Sequence, residues 1–230
     1  MKLLAFETST EACSVAVYAD GQVLERFELA PRRHAELALP WAEALLAEAG
    51  LAKSQLDAIA LGRGPGAFTG VRLAIALSQG IALALDRPLL PVSTLAALAM
   101  RAPGEAILAA IDARMGEVYA AAFRRQGEGL QLLAGETVIA PADYLPPQGE
   151  GWHAVGTGFA AVDGVLAQRL GPRLASLDAG ALPHAADVAR LGALLHASGG
   201  AVPPERVEPA YLRDNVALTL AEQRARRGEG

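Results

Sequence analysis

Two stretches of the sequence, about 105 residues apart, share one pattern of strands and turns. LLAFETSTEACSVAVYAD and AILAAIDARMGEVYAAAFRR each contain an apolar run that ends in a carboxylate, a turn of small residues, and a second strand with an aromatic residue near its end. One shift aligns Glu7 with Asp112 and Tyr18 with Phe123. The spacing predicts two copies of one structural unit, with lobes at residues 1–100 and 101–230.

The first copy is predicted to contain three antiparallel strands followed by alternating helices and strands. The second strand ends at Asp20-Gly21, a pair that favours a tight hairpin turn. HAELALPWAEALLAEAG and residues 71–86 follow a helical period, LDAIALG and PLLPVS are predicted strands, and TLAALAM is a short helix. The order βββαβαβα indicates a mixed sheet with parallel crossover connections.

The second copy repeats part of this order. GLQLLAGETVIA is predicted to be the third strand, WHAVGTG the fourth, and GFAAVDGVLAQRL and HAADVARLGALLHASGG two helices. A helix from this C-terminal half is a candidate to pack back on the first lobe. The charged tail AEQRARRGEG is predicted to fray in solvent.

Composition limits the class of protein. Of the 230 residues, 52% are hydrophobic and 20% are charged, which is ordinary for a globular chain. A net charge of −5 gives no general attraction to nucleic acid. The single cysteine, Cys13, excludes an internal disulfide and a cysteine zinc cluster. The start of the chain lacks a signal-peptide pattern, and the apolar segment 73–85 is shorter than the ~20 residues of a membrane span, so a cytoplasmic location is expected.

The predicted helix at 71–86 is apolar around most of its girth. One row of large side chains and one row of small side chains follow a spacing of four: Leu73, Leu77, Ile81 and Leu85, then Ala76, Gly80 and Ala84. A single sheet cannot cover such a helix on every side. The second cover is either the interior of this chain or a helix of another subunit, which the small row would allow to approach closely. Gly80 costs about 1 kcal/mol relative to alanine and therefore needs a packing reason.

Six motifs stand in order between about Leu3 and Asp214: FETSTEACSVAVY, RRHAELALP, GRGPGAFTGVRLA, IDARMGEVY, VGTG and EPAYLRD. Together they resemble the TsaB (YeaZ) family, bacterial proteins needed for threonylcarbamoyladenosine in tRNA. The duplicated βββαβα unit resembles the two-lobed actin-like (ribonuclease H-like) α/β fold of actin, sugar kinases and Hsp70. GPG-x-FTG-x-R and DAR-x-GEVY are the most specific pieces.

The resemblance implies a non-catalytic subunit. It would form a homodimer, or a heterodimer with the catalytic paralogue TsaD, and would act with the ATPase TsaE. The complex transfers threonylcarbamoyl to N6 of adenosine 37 in tRNAs that read codons starting with A, and this chain would meet tRNA only through the complex. A four-helix interface is implied, to which we assign His34, Leu37, Trp41, Leu45, Arg72, Leu73, Ala76, Leu77, Gly80 and Ile81.

Nucleotide binding is the alternative function. Glu7-Thr8-Ser9 and Asp112 occupy the positions at which actin-like ATPases hold Mg²⁺-nucleotide, so an autonomous ATPase or small-molecule kinase using Glu7 and Asp112 stays open, as does ATP or ADP with Mg²⁺ at the complex interface. Arg114 replaces the expected small residue. It is predicted to fill the cleft or to pair with Asp112 or Glu117, and phosphate binding is the alternative. Gly62-x-Gly64-x-x-Ala67 resembles a dinucleotide fingerprint, but three antiparallel strands precede it, unlike in a Rossmann unit.

Metal and hydrolytic chemistry are disfavoured. The metal site expected of the catalytic paralogue needs H-x-x-x-H, whereas His34 is followed by Ala38, so no resident cofactor or metal is expected and His34 is predicted to cap or flank a helix. The sequence has no G-x-S-x-G elbow, and Cys13 lies in an apolar strand.

Overall fold

A computed structural model describes residues 1–213 of the chain, which form two five-stranded sheets. The predicted frayed tail, residues 221–230, and the last residue of the EPAYLRD motif lie outside the described residues.

The first half of the chain builds the first sheet. Its elements are β1 (Lys2–Glu7), β2 (Ala12–Ala19), β3 (Gln22–Leu29), α1 (His34–Glu48), β4 (Ala58–Gly62), α2 (Phe68–Leu85), β5 (Leu89–Val92) and α3 (Thr94–Ala99). The strands lie in the order β3-β2-β1-β4-β5, with β1 to β3 antiparallel and β1, β4 and β5 parallel. Asp20 and Gly21 form the predicted tight turn, both with positive φ. The predicted order βββαβαβα is confirmed.

The second sheet repeats this arrangement. Its elements are β6 (Ala106–Arg114), β7 (Glu117–Gln126), β8 (Gly129–Ile139), β9 (Trp152–Val155), α4 (Ala161–Leu170) and β10 (Leu174–Asp178), followed by α5 (Ala185–Ala197). The strand order β8-β7-β6-β9-β10 matches that of the first sheet, with β6 in the place of β1. The predicted duplication is confirmed.

The second copy departs from the prediction at two places. No helix corresponding to α1 occurs between β8 and β9, because residues 140–151 contain Pro141, Pro146 and Pro147, which cannot donate the hydrogen bonds of a helix. The strand β10 is also absent from the predicted elements, because it is an edge strand with no buried residue and therefore no continuous apolar run.

Two helices are exchanged between the lobes. Leu95 and Leu98 of α3 are buried against the second sheet, although α3 follows the last strand of the first. Ala185 and Val188 of α5 are buried against the first sheet, although α5 follows the last strand of the second. A division at residue 100 therefore separates the two sheets but not the units that pack together.

The helices α1 and α2 cover the other face of the first sheet. By length and composition alone α2 could cross a membrane, since it has 18 residues and a mean hydropathy of 1.6. The apolar segment identified from the sequence, residues 73–85, is shorter than the helix that forms. Its buried third, however, packs on β4 as the crossover between the parallel strands β4 and β5. That position is typical of a core helix in a globular α/β domain.

Candidate partner face and interlobe cleft

The outward side of α2 is uncovered by the described chain. Ala76, Gly80 and Ala84 are exposed, and Leu83 is 65% exposed. Apart from the two neighbouring residues and the backbone of α2 itself, no heavy atom of residues 1–213 lies within 4 Å of the position that a Cβ at Gly80 would occupy. The inward positions are buried in the core, and they are Gly70, Val71, Ala74, Ile75, Ser78 and Ala82. We call the exposed small residues and their large neighbours the outward face: Leu73, Ala76, Leu77, Gly80, Ile81, Leu83 and Ala84.

Residues 1–213 therefore do not supply the second cover that the sequence pattern requires. The large members of the predicted set, Leu73, Leu77 and Ile81, are half-buried and border the exposed small row. Leu77 and Ile81 also pack against the core of the first lobe. Within residues 1–213 the flank of α2 is open, whereas its use as a partner surface stays a prediction.

The interface assignment on α1 needs a correction. Leu37 and Trp41 are half-buried, but Leu45 is 1% exposed and belongs to the core with Ala38 and Ala42. Residues four apart advance by about 400° around a helix, so a row at this spacing drifts by about 40° per step. Two steps after Leu37, the row has therefore rotated by about 80°. Leu45 lies on the buried side of α1 and cannot contact a partner.

His34 is the first residue of α1, as predicted for a flanking residue. Its Nε2 donates to the carbonyl oxygens of Thr10, at 2.9 Å, and Ala12, at 3.1 Å. The imidazole thereby fastens the start of α1 to the β1–β2 turn. We assign His34 to this anchoring contact rather than to a free surface.

Arg72 does not belong to the apolar rows either. With Gln79 it forms a polar stripe on α2 that binds residues 203–213, which we call the strap. The Gln79 amide donates to the Pro204 carbonyl at 2.8 Å, and the Arg72 guanidinium donates to the Tyr211 hydroxyl at 2.6 Å. The seven-residue spacing of Arg72 and Gln79 was the only sequence signal for this contact.

The strap connects the two lobes. Val207 is buried in the core of the first lobe, and the Ala210 amide donates to the Arg63 carbonyl at 2.9 Å. Further along, the Arg213 guanidinium donates to the Ala113 carbonyl at 3.2 Å and pairs with Glu117 in the second lobe. The strap thus forms one wall of the space between the lobes.

That space is a cleft of about 640 Å³. Its walls are the β1–β2 turn, the loop before α2, the β6–β7 turn and the strap. The cleft is rich in arginine and aromatic residues, which are Arg32, Phe68, Arg72, Arg114, Tyr119, Tyr211 and Arg213. Glu11 and Asp112 are its acidic residues.

Glu7 is sealed behind this cleft and does not line it. Its carboxylate is 1% exposed and accepts hydrogen bonds from the Ser9 amide at 2.7 Å, the Ser9 hydroxyl and the Thr94 hydroxyl at 3.1 Å. Burial raises the pKa of Glu7 above its ordinary value, against the opposing effect of the hydrogen bonds from Ser9 and Thr94. The group is held as a structural acceptor.

The rest of the first nucleotide motif is also buried. The Thr8 hydroxyl donates to the Gly70 carbonyl at 2.7 Å, and Ser9 is 1% exposed, with its hydroxyl held by Glu7 and Thr94. Gly70 lies so close to Thr8 that a Cβ there would overlap the Thr8 carbonyl, so the turn and α2 leave no space between them. Glu7 and Thr8 are therefore closed off from the cleft, whereas Ser9 lies at its wall, and nucleotide binding at this motif stays a prediction without support from Glu7 or Thr8.

Asp112 does line the cleft, but Arg114 binds its carboxylate. The Arg114 amide and guanidinium donate to Asp112 at 2.8 Å and 3.0 Å. The predicted pairing is confirmed. A Mg²⁺ ion would have to displace this arginine, and within residues 1–213 no group of three His, Cys, Asp or Glu side chains fits a metal ion.

Cys13 is buried in β2, and burial raises the pKa of its thiol to about 11. A thiol with this pKa is almost entirely protonated near neutral pH and is a poor nucleophile.

Comparison with known proteins agrees with this fold. The sequence model of the family described as "TsaD: tRNA N6-adenosine threonylcarbamoyltransferase" matches residues 27–219. The tRNA threonylcarbamoyladenosine biosynthesis protein TsaB of Escherichia coli (strain K12) is 41% identical and aligns over 94% of this chain and 96% of its own length. The protein with the same name from Haemophilus influenzae is 38% identical over 94% and 95%.

Solved structures give the same result. YeaZ from Pseudomonas aeruginosa is 45% identical, with a TM-score of 0.84 over 92% of this chain and 99% of that one. A second P. aeruginosa structure, described as an uncharacterized protein with similarity to peptidase YeaZ, is 46% identical, with a TM-score of 0.87 over the same shares. The duplicated actin-like lobes, the ordered motifs and these matches together show that the chain belongs to the TsaB (YeaZ) family.

Proposed function

We propose that this chain is the non-catalytic subunit of a cytoplasmic tRNA threonylcarbamoyl transferase complex, and that it binds a TsaD-type catalytic paralogue through the outward face. The names of its relatives from E. coli and H. influenzae support a role in threonylcarbamoyladenosine biosynthesis. The observation that carries the proposed mode of action is the exposed outward face of α2, which residues 1–213 leave uncovered.

The outward face has the chemistry of a helix-to-helix contact. Gly80 and its small neighbours let another backbone approach, while Leu77 and Ile81 border the groove that a partner side chain would fill. Burying a leucine-sized side chain contributes about 1.5 to 3 kcal/mol before the costs of association. The paralogue would supply the matching helices, a second copy of this chain would use the same face in its absence, and a TsaE-type ATPase would join the assembly.

The cleft supports an assembly role over an autonomous ATPase or kinase. Of the two strand-end carboxylates, Glu7 is sealed and Asp112 is bound by Arg114. Glu7 is therefore closed to a Mg²⁺-bound water, and at Asp112 such a water would compete with Arg114. The word peptidase in the description of one structural relative finds no support at Cys13, because the thiol is buried and its pKa is raised.

The test is association of the purified chain with its catalytic paralogue, measured by isothermal titration and by size-exclusion chromatography with light scattering. Gly80→Glu and Ala76→Arg place a charge in the outward face and should weaken association by at least about a hundredfold, because an unpaired charge would be buried. Ala197→Glu, at an exposed position on α5, is the matched control and should bind normally. Circular dichroism checks that each variant is folded.

Normal association of both charged variants would contradict the proposed surface. In cells, replacement of the wild-type chain by Gly80→Glu should lower threonylcarbamoyladenosine in total tRNA, as measured by mass spectrometry of nucleosides. The control variant should preserve it.

A further inference from the structure

We infer that the mouth of the interlobe cleft is an RNA-binding site of this chain itself, at which an unpaired base stacks on Phe68 or Tyr211 and arginines bind the phosphates of the strand. The inference rests on the proposed function and deepens it. It names RNA as a direct ligand of this subunit, in place of contact only through the complex.

The first observation is a pair of exposed rings joined by one guanidinium. Phe68 is 68% exposed and Tyr211 is 61% exposed, and among residues 1–213 they are the aromatic residues with more than half of their surface in solvent. The guanidinium carbon of Arg72 lies 3.2 Å from the Phe68 ring centroid and 5.2 Å from that of Tyr211. Arg72 thus covers one face of the Phe68 ring and lies near Tyr211, and all three residues line the cleft.

The second observation is that this platform is held in place. The Arg72 guanidinium donates to the Phe68 carbonyl at 2.9 Å and to the Tyr211 hydroxyl at 2.6 Å. The strap that carries Tyr211 is fastened on both sides, at Val207 and at Arg213. A ligand would therefore meet side chains that are already ordered, which lowers the entropy cost of binding.

The third observation is the charge of the cleft. The chain carries a net charge of −5, yet four arginines line the cleft against two acidic residues. Arg114 neutralises Asp112, whereas Arg32 and Arg72 have no carboxylate within 4 Å in the described part of the chain. Phosphate groups are the natural counter-ions for such arginines.

These features favour RNA over the other ligands that a cleft of this kind could take. A Mg²⁺-nucleotide would need a carboxylate to hold its metal-bound water, and Glu7 is sealed while Asp112 is paired with Arg114. A protein partner on this surface would have to supply acidic groups for Arg32 and Arg72. Single-stranded RNA offers both flat bases, which stack on aromatic rings and guanidinium planes, and phosphates in one molecule.

The probe is a fluorescein-labelled 17-nucleotide anticodon stem-loop with an unmodified adenosine at position 37. Binding to the isolated full-length chain is followed by fluorescence anisotropy across a salt series, with a duplex RNA of the same length and ATP-Mg²⁺ as competitors. We expect the stem-loop to bind more tightly than the duplex. We also expect affinity to fall with salt, because phosphate contacts release counter-ions.

Variants locate the site. Phe68→Ala and Arg72→Ala should each weaken stem-loop binding by about tenfold, since stacking of one base is worth about 1–3 kcal/mol. Arg72→Ala should also reduce the salt slope by about 0.7. Phe68→Tyr keeps a ring and should bind as the wild type does. Arg124→Ala removes an exposed arginine that is not among the residues lining the cleft and is the matched control.

Four outcomes would overturn the inference, three of them in the RNA assay. The wild-type chain could fail to bind the stem-loop at low salt, the cleft variants could bind as well as Arg124→Ala, or ATP-Mg²⁺ could displace the stem-loop, which would assign the site to free nucleotides. Weakened association of Phe68→Ala with the catalytic paralogue, without loss of RNA binding, would also overturn it and assign the rings to a protein partner. Because no paralogue is present in the RNA assay, failure here leaves the Gly80→Glu experiment as a separate test of the proposed function.

Discussion

The carboxylate of Glu7 occupies the space into which any side chain at Gly62 would project. The two residues end the parallel neighbours β1 and β4, so the close approach is set by the pairing of those strands. Glycine at the end of β4 lets the sheet seal the carboxylate. The group that aligns with a catalytic position in the sequence is therefore part of the core.

Gly62→Ala should destabilise the fold by about 1–3 kcal/mol, because the added methyl group would overlap the Glu7 carboxylate and disturb its hydrogen bonds. Urea unfolding measures the loss. Gly135→Ala is the matched control, since nothing lies within 4 Å of its Cβ position and its φ is not positive. Equal stability of the two variants would contradict the sealed arrangement.

Glu7→Gln should change how stability depends on pH. The pKa of Glu7 is raised on folding from 4.5, so between 4.5 and the folded value the native state holds more protons than the unfolded state. Ionisation of Glu7 therefore makes the wild type less stable as the pH rises through this window. Glu7→Gln cannot ionise at this position, so it does not lose this stability. Its free energy of unfolding should therefore rise relative to that of the wild type as the pH increases.

Urea titrations of wild type and Glu7→Gln from pH 4 to 8 measure that difference. A difference that does not vary with pH would contradict the raised pKa. If the cleft were an ATPase site, the same substitution would also abolish ATP turnover by the isolated chain. We expect no turnover in either form.

Glu25→Gln should weaken the attachment of α5 to the first lobe. Burial alone would raise the pKa of Glu25, but hydrogen bonds from His184, the Ala186 amide and Ser14 lower it overall. A lowered pKa stabilises the fold above pH 4.5, and this stabilisation is lost as the pH falls through the folded pKa.

Glu25→Gln should be less stable than the wild type by about 1–3 kcal/mol at pH 7. This difference in the free energy of unfolding should be smaller at pH 3. Thermal unfolding at both values tests this expectation. Glu36→Gln, at an exposed position in the first turn of α1, should show a much smaller effect. An equal difference in stability at pH 3 and pH 7 would show that the charge of Glu25 does not contribute to the attachment of α5.

Gln79→Ala should loosen the strap without unfolding the chain. The substitution removes the amide that donates to the Pro204 carbonyl, a bond worth about 1 kcal/mol. Hydrogen exchange at the Ala210 amide should become about fivefold faster, as measured by mass spectrometry. Ala84→Gln, on the outward side of the same helix, should leave that exchange rate unchanged.

Ser78→Ala should stabilise the fold by up to about 1 kcal/mol. Ser78 is 0% exposed, and its hydroxyl finds no hydrogen-bond partner among the described residues. Ser14→Ala is the opposite case, because the Ser14 hydroxyl donates to Glu25 and accepts from the Ala185 amide. Its loss should destabilise the chain, and an equal effect of both substitutions in urea would contradict the assignment.

Local pattern was sufficient for the repeated parts of the fold. The Asp20-Gly21 turn requires positive φ, and β1 and β2 are short, largely apolar runs that are buried on both faces, so each copy is visible in a window of about twenty residues. The apolar residues around most of α2 likewise predicted that the helix needs a second cover besides the sheet, because the pattern of apolar residues on a helix can be read from its own sequence. Where the pattern is weak, as in the edge strand β10, the prediction failed.

The sequence by itself thus determined the duplicated α/β lobes, the family and the apolar face of α2. Only the tertiary structure decided that Glu7 is sealed, that Leu45 faces inward and that Arg72 and Gln79 hold a strap more than a hundred residues away. The physical reason is that these outcomes depend on contacts between distant segments. Hydrophobic period and turn chemistry act over a few residues and carry no information about which segments meet.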